Sequence, residues 1–264
     1  MVQSLALPLL MLIPNMHTPE CVVYDAGSGY IYVSNVVGEG WANDEKGFIA
    51  RLKSDGSVDR LHWRTKTPEA RLSAPKGMCI LHGWLYVGDN ARLARFSLTG
   101  TESQSIAVPD ADHINDLATD GVHVWASDTT RGVIYRVTPD LREVKRIPGV
   151  PMINGIAFGK GRMWAVGWEP ADLYEIDPSG VKAPRPFGLT KHFTNLDTIE
   201  VMPGGSFLVT DFGGNKVSVV SADEKEVRDV AEVKNPADAG VDLKGRRLFV
   251  PSFTGDTVSV FSLK

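Results

Sequence analysis

The sequence predicts an all-β fold, a six-bladed β-propeller with four-stranded blades. Six times a short hydrophobic strand begins just after a charged or amide residue, at intervals of 56, 39, 39, 43 and 41 residues. Each start is followed by a turn rich in Gly or Asp, an alternating strand, and an Asp or Ser. A period near 40 residues with several short strands is typical of propeller blades. The six positions are Glu20, Lys76, Asn115, Asn154, Asp197 and Asp238.

The repeat covers nearly all of the 264 residues, which predicts a single propeller domain over residues 1–264. Its last unit has room for only three strands, at Gly240–Leu243, Arg247–Pro251 and Thr257–Ser262. An N-terminal strand around Ser4–Leu12 would supply the missing outer strand and close the ring. The alternative, a signal peptide, lacks a basic start and a small-residue cleavage site.

The blades follow one another in chain order. The expected strands of blade one are Cys21–Asp25, Tyr30–Asn35, Phe48–Leu52 and Val58–Trp63. Blades two to six are expected at Ala74–Pro109, around Val122–Ser127 and Val133–Thr138, Ile153–Phe187, Asn195–Val233 and Pro236–Lys264. An insert at Val36–Gly47, which contains Trp41, lengthens the first interval. It either covers the channel mouth or is a solvated loop.

Composition excludes several classes of protein. The net charge of −4 and the lack of a basic run argue against nucleic acid, and the apolar N-terminal stretch Leu5–Ile13 is too short to span a bilayer, so no membrane partner is expected. Cys21 and Cys79 are expected as free buried thiols, with a disulfide as the less favoured alternative. We expect a cytoplasmic protein that binds a small molecule; a periplasmic or secreted location is the alternative, and the oligomeric state stays open.

The six repeated positions should form a ring around the central channel. Glu20, Asn115, Asn154 and Asp197 carry oxygen donors of the kind that calcium prefers, with two negative charges between them. Calcium is therefore the expected metal, ahead of magnesium, manganese and zinc. The alternative is that these polar side chains only solvate a water-filled tunnel.

Other repeated residues have structural interpretations. Asp89, Asp128 and Asp211 end second strands, where an Asp most often accepts backbone hydrogen bonds in the following turn. The Trp and most Phe residues are expected to pack between blades.

The repeat resembles the six-bladed family of regucalcin (senescence marker protein) and gluconolactonases, to which diisopropyl fluorophosphatase and paraoxonases are related. The resemblance rests on Pro19-Glu20, Asn115-Asp116, Asn154-Gly155 and Asp197 at blade spacing, and covers essentially the whole chain. It implies one catalytic divalent metal, usually calcium, held or flanked by Glu20, Asn115, Asn154 and Asp197. Departures such as Leu117 and Thr198, where the family often has Gly, bear on the substrate more than on the metal.

The leading hypothesis is a calcium-dependent lactonase or esterase. Asp116 and His113 are the candidate catalytic residues; Asp116 is either a general base or a carboxylate that orients the ligands. Lys76, Asp238 and Trp41 are the candidate substrate-binding residues. The alternatives are a non-catalytic propeller that binds a ligand or protein on its top face, and a phosphotriesterase on the same metal centre.

Overall fold

Six antiparallel sheets of four strands surround a common axis in the computed structural model, which describes residues 6–263. This confirms the predicted propeller. Blades one to three comprise β2 (Pro19–Tyr24), β3 (Ile31–Asn35), β4 (Phe48–Leu52), β5 (Val58–Arg64), β6 (Pro75–Leu81), β7 (Trp84–Asp89), β8 (Arg92–Ser97), β9 (Ser103–Ala107), β10 (Ile114–Thr119), β11 (Val124–Asp128), β12 (Val133–Val137) and β13 (Val144–Pro148). Blades four to six comprise β14 (Ile153–Gly159), β15 (Arg162–Gly167), β16 (Leu173–Ile176), β17 (Arg185–Pro186), β18 (Leu196–Val201), β19 (Phe207–Asp211), β20 (Lys216–Val220), β21 (Val227–Glu232), β22 (Gly240–Asp242), β23 (Arg247–Ser252) and β24 (Thr257–Ser262), with β1 (Leu9–Ile13) as the outer strand of blade six.

The N-terminal strand closes the ring, as the strand count predicts. β1 pairs antiparallel with β24, with Leu12 opposite Ser259 and Ile13 opposite Val258. The strand occupies Leu9–Ile13 rather than Ser4–Leu12, and Ser4 lies outside the described residues. A strand from each end of the described chain therefore completes one sheet, which leaves no gap in the ring.

The hydrophobic core lies between neighbouring blades. Ile13 packs with residues of blade one, such as Val22 and Ile31, and with Phe249 and Val258 of blade six. Similar clusters fill the other blade interfaces, because alternation along each strand places apolar side chains on both faces of a sheet that is covered on both sides.

The inner strands share an irregularity that aims the ring residues into the channel. In blades one to five the pairing of the first two strands shifts register at the ring residue and its successor. Such β-bulges redirect side chains next to functional sites. In three blades the N–H of the second bulge residue donates to a Ser or Thr hydroxyl on the next strand at 2.9 Å; the pairs are Cys21 with Ser34, Asp116 with Ser127 and Thr198 with Thr210.

Blades two and four have glycine at the second bulge position, where the neighbouring inner strand leaves no space. A Cβ atom at Gly77 would lie 2.5 Å from the Cα of Asp116, and one at Gly155 would lie 2.4 Å from the carbonyl oxygen of Asp197. Both contacts are too short for any side chain, so glycine is required at these two positions.

The Asp residues at the ends of the second strands accept backbone N–H groups, as expected. The Asp89 carboxylate accepts the N–H groups of Ser73 and Ala74, which lie in the loop that enters the same blade rather than in the following turn. Asp128 and Asp211 each accept backbone N–H groups from two segments, the loop that enters the blade and the turn that follows the Asp. Each acid therefore fixes the loop from which a ring residue emerges.

Two further expectations concern the thiols and membranes. Cys21 and Cys79 are buried and free, so no disulfide joins them. In the part of the chain that the structure describes, no helix has the length and apolar character needed to cross a bilayer.

Candidate functional site

The channel contains two cavities, one at each end of the inner strands. The cavity at the strand starts, called the upper cavity here, has a volume of about 250 Å³. Five of the six predicted ring positions line it: Glu20, Lys76, Asn115, Asn154 and Asp197. The remaining wall is formed by Gly40, Trp41, Thr129, Met152, Trp168, Phe212 and Phe253.

The four predicted oxygen donors converge on the upper cavity from four different blades. Oε2 of Glu20 and Oδ1 of Asn154 are buried and have no hydrogen-bond partner among the described residues. Asn115 donates its Nδ2 to Oγ1 of Thr129 at 3.1 Å, which leaves its Oδ1 for another contact. Buried polar atoms are nearly always satisfied in native proteins, so these oxygens indicate a missing donor, a cation or a water.

This donor set fits a hard divalent cation. Two carboxylates and two amides supply the oxygen ligands that calcium prefers and leave coordination positions for water or substrate. Among residues 6–263 no group of three or more His, Cys, Asp and Glu side chains is placed to hold a metal. A cation in the upper cavity would therefore depend on the amide oxygens of Asn115 and Asn154 as well as on the two acids.

Lys76 occupies the ring position of blade two and turns into the same cavity. Its side chain is almost fully buried, and its Nζ lies 3.9 Å from Oε1 of Glu20. The Nζ also lies 4.5 Å from the centre of the Trp41 ring and 5.3 Å from that of Phe253. A lysine ammonium between two aromatic faces is stabilised by cation–π attraction.

Burial dominates the protonation of these groups. Burial raises the pKa of Glu20 well above its usual range, although the Lys76 ammonium opposes that rise. Burial, together with the charge of Asp238, raises the pKa of Asp197 to about 8, and burial lowers the pKa of Lys76. Poor solvation therefore disfavours each charged side chain in this cavity when no opposite charge is near. A bound ion of opposite charge would shift the protonation of these groups most strongly under this condition.

Aromatic side chains form much of the upper cavity wall. The expectation that the Trp residues pack between blades is wrong for Trp41 and Trp168, which line the cavity together with Phe212 and Phe253. The insert at residues 36–47 contributes Gly40 and Trp41 to the wall, so it does cover part of the channel mouth. The other indole side chains do pack in the blade cores, as Trp63, Trp125 and Trp164 show.

Asp238 is not a ring residue, and the reason is its register. Pro236 bridges to Ser252 as Pro19 pairs with Asn35 in blade one, so the ring position of blade six is Ala237. Asp238 occupies the second bulge position, and its side chain lines the cavity at the opposite end of the channel.

That opposite cavity, called the lower chamber here, has a volume of about 310 Å³ and also receives Asp116. The side chains of consecutive residues on the inner strand point to opposite ends, so Asp116 does not share the upper cavity with Asn115. Oδ2 of Asp116 accepts the N–H of Ile156 at 2.7 Å, and Oδ1 accepts that of Leu117 at 2.6 Å. The side chain therefore joins blades three and four.

Asp116 and Asp238 face each other across the lower chamber within hydrogen-bond reach. Burial, and next the charge of Asp238, raises the pKa of Asp116 well above its usual range, and burial raises that of Asp238. Thr198 donates its hydroxyl to Asp238 and accepts the N–H of Ala239 at 2.9 Å. Two carboxyl groups so close share a proton, because both cannot ionise without repulsion.

The candidate catalytic residue His113 does not line the upper cavity. His113 lies outside it and packs against Trp41 with ring centres 4.2 Å apart, while its Nδ1 contacts Oγ1 of Thr130 at 2.5 Å. His113 therefore packs against Trp41, a residue of the upper cavity wall, and helps to hold it in place. His17 packs edge-on against Phe48, and His192 lies in the 3₁₀ turn Thr190–His192.

Four wall residues escaped the sequence analysis although they follow the repeat. Thr129, Trp168, Phe212 and Phe253 each come directly after the last residue of a second strand. Thr129 also donates to the carbonyl of Ile153 at 2.7 Å, which fixes it against Asn115. A comparison of the residues that directly follow the second strands would have identified these four wall residues.

Glu200 lines the lower chamber, and its raised pKa should make the stability of the protein depend on pH. Burial, and then the charge of Asp238, raises the pKa of Glu200 to about 8. In the unfolded state Glu200 loses its proton above its ordinary pKa of about 4.5, whereas in the folded state it keeps the proton up to a pH of about 8. The free energy of unfolding therefore falls as the pH rises from about 4.5 to 8. We expect Glu200→Gln to be more stable than the wild type at pH 9 by about 1 to 3 kcal/mol, because each tenfold change in proton affinity contributes ~1.4 kcal/mol.

Urea denaturation at pH 5 and pH 9 measures this effect. Glu39→Gln, at an exposed loop position, is the control and should leave both values unchanged. An equal pH dependence in wild type and Glu200→Gln would show that Glu200 ionises freely in the folded protein.

A family model, described as a repeat of unknown function (DUF6923), matches residues 21–168, which is more than half of the chain. The chain belongs to this family. The matched span contains blades one to three and the first two strands of blade four, so a DUF6923 repeat in this chain corresponds to consecutive propeller blades. No curated protein matches the sequence at a significant level.

Several solved structures share the fold. A gluconolactonase from Xanthomonas campestris is 16% identical with a TM-score of 0.75, covering 100% of this chain and 94% of its own. A catalytically inactive histidine-to-alanine variant of virginiamycin B lyase from Staphylococcus aureus, with quinupristin, is 14% identical with a TM-score of 0.66, covering 96% and 99%. A chain of the nidogen/laminin complex is 14% identical with a TM-score of 0.69, covering 82% and 86%. At these identities the likeness shows a common propeller fold, and membership of the regucalcin family stays a prediction.

Proposed function

We propose that this chain is a divalent-metal-dependent hydrolase that opens a small lactone or ester in the upper cavity, with calcium as the metal. One observation carries the proposal: oxygen donors from four blades converge on one cavity, and buried oxygens of Glu20 and Asn154 have no hydrogen-bond partner there among the described residues. The likeness in fold to a gluconolactonase supports the same class of reaction.

Glu20, Asn115, Asn154 and Asp197 are the residues that would hold the cation. Bound there, calcium would polarise the ester carbonyl and stabilise the oxyanion. Thr129 keeps the Asn115 amide oriented, and the tight backbone contacts at Gly77 and Gly155 keep the inner strands in register. The donors are therefore positioned before any ligand binds, which reduces the cost of ordering them.

The remaining wall residues control water and orient the reactants. Trp41, Trp168, Phe212 and Phe253 exclude bulk solvent, which strengthens the electrostatic interactions inside the cavity. The Glu20 carboxylate has two oxygens at the cavity, so one can orient an attacking water while the other binds the cation. Asp116, the candidate base from the sequence, lies in the lower chamber; its contacts with Ile156, Leu117 and Asp238 give it a role in joining blades.

The side chains of the cavity wall favour hydrolysis over the reaction of one structural neighbour, virginiamycin B lyase. Virginiamycin B lyase is inactivated when one histidine is replaced by alanine. Among the residues described by the structure, no histidine lines the upper cavity of this chain. The polar groups there are those of the four oxygen donors, Lys76 and Thr129, with the indole N–H groups of Trp41 and Trp168.

A hydrolysis screen with and without chelator tests the proposal. Purified protein is incubated with an aldonolactone, an aliphatic lactone, an aryl ester and a phosphotriester, each in excess calcium and in EDTA. We expect hydrolysis of at least one lactone or ester, its loss in EDTA, and its recovery when calcium is restored.

The same screen separates the alternatives. Turnover of the phosphotriester alone would indicate a phosphotriesterase. No turnover of any substrate with calcium, magnesium, manganese or zinc would contradict the proposal and favour a non-catalytic propeller that binds a ligand.

A further inference from the structure

The ammonium of Lys76 lies in the upper cavity without a hydrogen-bond acceptor from the described residues. Only 4% of the residue is exposed, yet its nearest carboxylate oxygen, Oε1 of Glu20, is 3.9 Å away, which is beyond hydrogen-bond distance. Among residues 6–263 no hydrogen-bond acceptor is placed on this Nζ, which faces the upper cavity. An ammonium carries three hydrogen-bond donors, so this Nζ can bind acceptor atoms of a molecule in the cavity.

Two aromatic rings fix the direction of this ammonium. Trp41 and Phe253 flank the Nζ at 4.5 and 5.3 Å from their ring centres. The rings stabilise the positive charge but do not replace hydrogen-bond acceptors. Lys76 is therefore held with its donors available to a molecule in the cavity.

The charges that line the upper cavity define that molecule further. They are the two carboxylates of Glu20 and Asp197 and the one ammonium of Lys76. A divalent cation balances the two carboxylates, so the Lys76 ammonium leaves one positive charge without a counter-charge. A ligand with one negative charge would neutralise the cavity, and a neutral ligand would not.

We propose that Lys76 binds a carboxylate of the substrate, so that the substrate is a small lactone or ester that carries one carboxylate group. This inference rests on the proposed hydrolase function and adds the substrate class. A cavity of about 250 Å³ accommodates a five- or six-membered lactone with one carboxylate.

Binding of inert analogues tests the role of Lys76 without any turnover. Tetrahydrofuran-2-carboxylate and its neutral carboxamide have similar shapes and contain no lactone or ester bond. In titration calorimetry with calcium-loaded wild type, we expect the carboxylate to bind about 10- to 100-fold more tightly, as for a hydrogen-bonded charge pair. Lys76→Met should reduce this preference to within about threefold, and Lys76→Arg should retain most of it.

Two results would overturn the inference. One is equal binding of carboxylate and carboxamide by the wild type. The other is a preference that persists in folded Lys76→Met and disappears in EDTA, which would place the carboxylate on the cation. Circular dichroism establishes folding, and Lys76→Gln replaces the methionine variant if that variant does not fold.

Hydrolysis of a second matched pair separates this inference from the proposed function. The pair is 5-oxotetrahydrofuran-2-carboxylate and its carboxamide, both of which are lactones. Equal hydrolysis of the two would retain the hydrolase and overturn the role of Lys76. A Lys76-dependent preference for binding the carboxylate analogue, without hydrolysis of any lactone or ester, would retain the anion site and contradict the hydrolase.

Discussion

Replacing Glu20 by Gln is expected to lower calcium affinity and lactone hydrolysis together, each at least about 100-fold. Gln has the same shape but removes one of the two carboxylates that line the upper cavity. Substitutions of groups that only support metal ligands already cost about 10- to 100-fold, so loss of a direct ligand should lie at or above that range. Titration calorimetry with calcium and initial rates on the best substrate measure the two effects.

Folding should not account for this loss. Burial raises the pKa of Glu20, which means that the charged side chain opposes folding when no cation is bound. The melting temperature of Glu20→Gln in EDTA should therefore be at or above that of the wild type. Asp197→Asn should behave in the same way, because burial is also the largest cause of the raised pKa of Asp197.

Glu200→Gln is the matched control for Glu20→Gln. It makes the same chemical change in the lower chamber, away from the four oxygen donors, and should leave calcium affinity within about twofold. Unchanged calcium affinity in both Glu20→Gln and Asp197→Asn would mean that the upper cavity does not hold the cation.

The second large effect is expected at the strand that closes the ring. Ile13→Ala should lower the free energy of unfolding by about 2 to 5 kcal/mol, the usual cost of removing a large aliphatic side chain from a core. Ile13 is 4% exposed and packs between blade six and blade one. Equilibrium urea denaturation followed by circular dichroism measures the change.

The neighbouring Leu12 provides the control on the same strand. It is 53% exposed and points away from the core, so Leu12→Ala should change stability by no more than about 0.5 kcal/mol. Equal losses for both variants would mean that β1 does not contribute through burial, and no loss for either would contradict its docking on β24.

Much of the fold could be predicted from the sequence because strand alternation and turn residues recur in every blade. The deficit of one strand in the last repeat was sufficient to predict that the N-terminal strand completes it. The boundaries were less accurate, since the strand at Leu9–Ile13 is set by its pairing with β24 and not by local composition alone.

The site was harder to predict because one residue of register decides which cavity a side chain enters. Asp238 appeared equivalent to Asp197 by spacing, but the bridge from Pro236 to Ser252 makes Ala237 the equivalent residue. Asp116 follows Asn115 directly and still faces the lower chamber. The hydroxyls of Ser34 and Ser127 accept the bulge N–H groups, and each of these Ser residues directly precedes the last residue of a second strand. This repeated hydroxyl was the sequence signal that would have located the bulges.

The pairing of β1 with β24 also determines when the ring can close during protein synthesis. The ribosome releases Ile13 early and Val258 only after the intervening blades have been made, although the two residues are direct partners. Until then β1 has no strand to pair with, and the nascent protein exposes Ile13, which is buried in the finished ring, next to open strand edges. Translation that stops before Thr257 therefore yields a chain with unsealed blades, which aggregation and proteolysis would remove in preference to the finished ring.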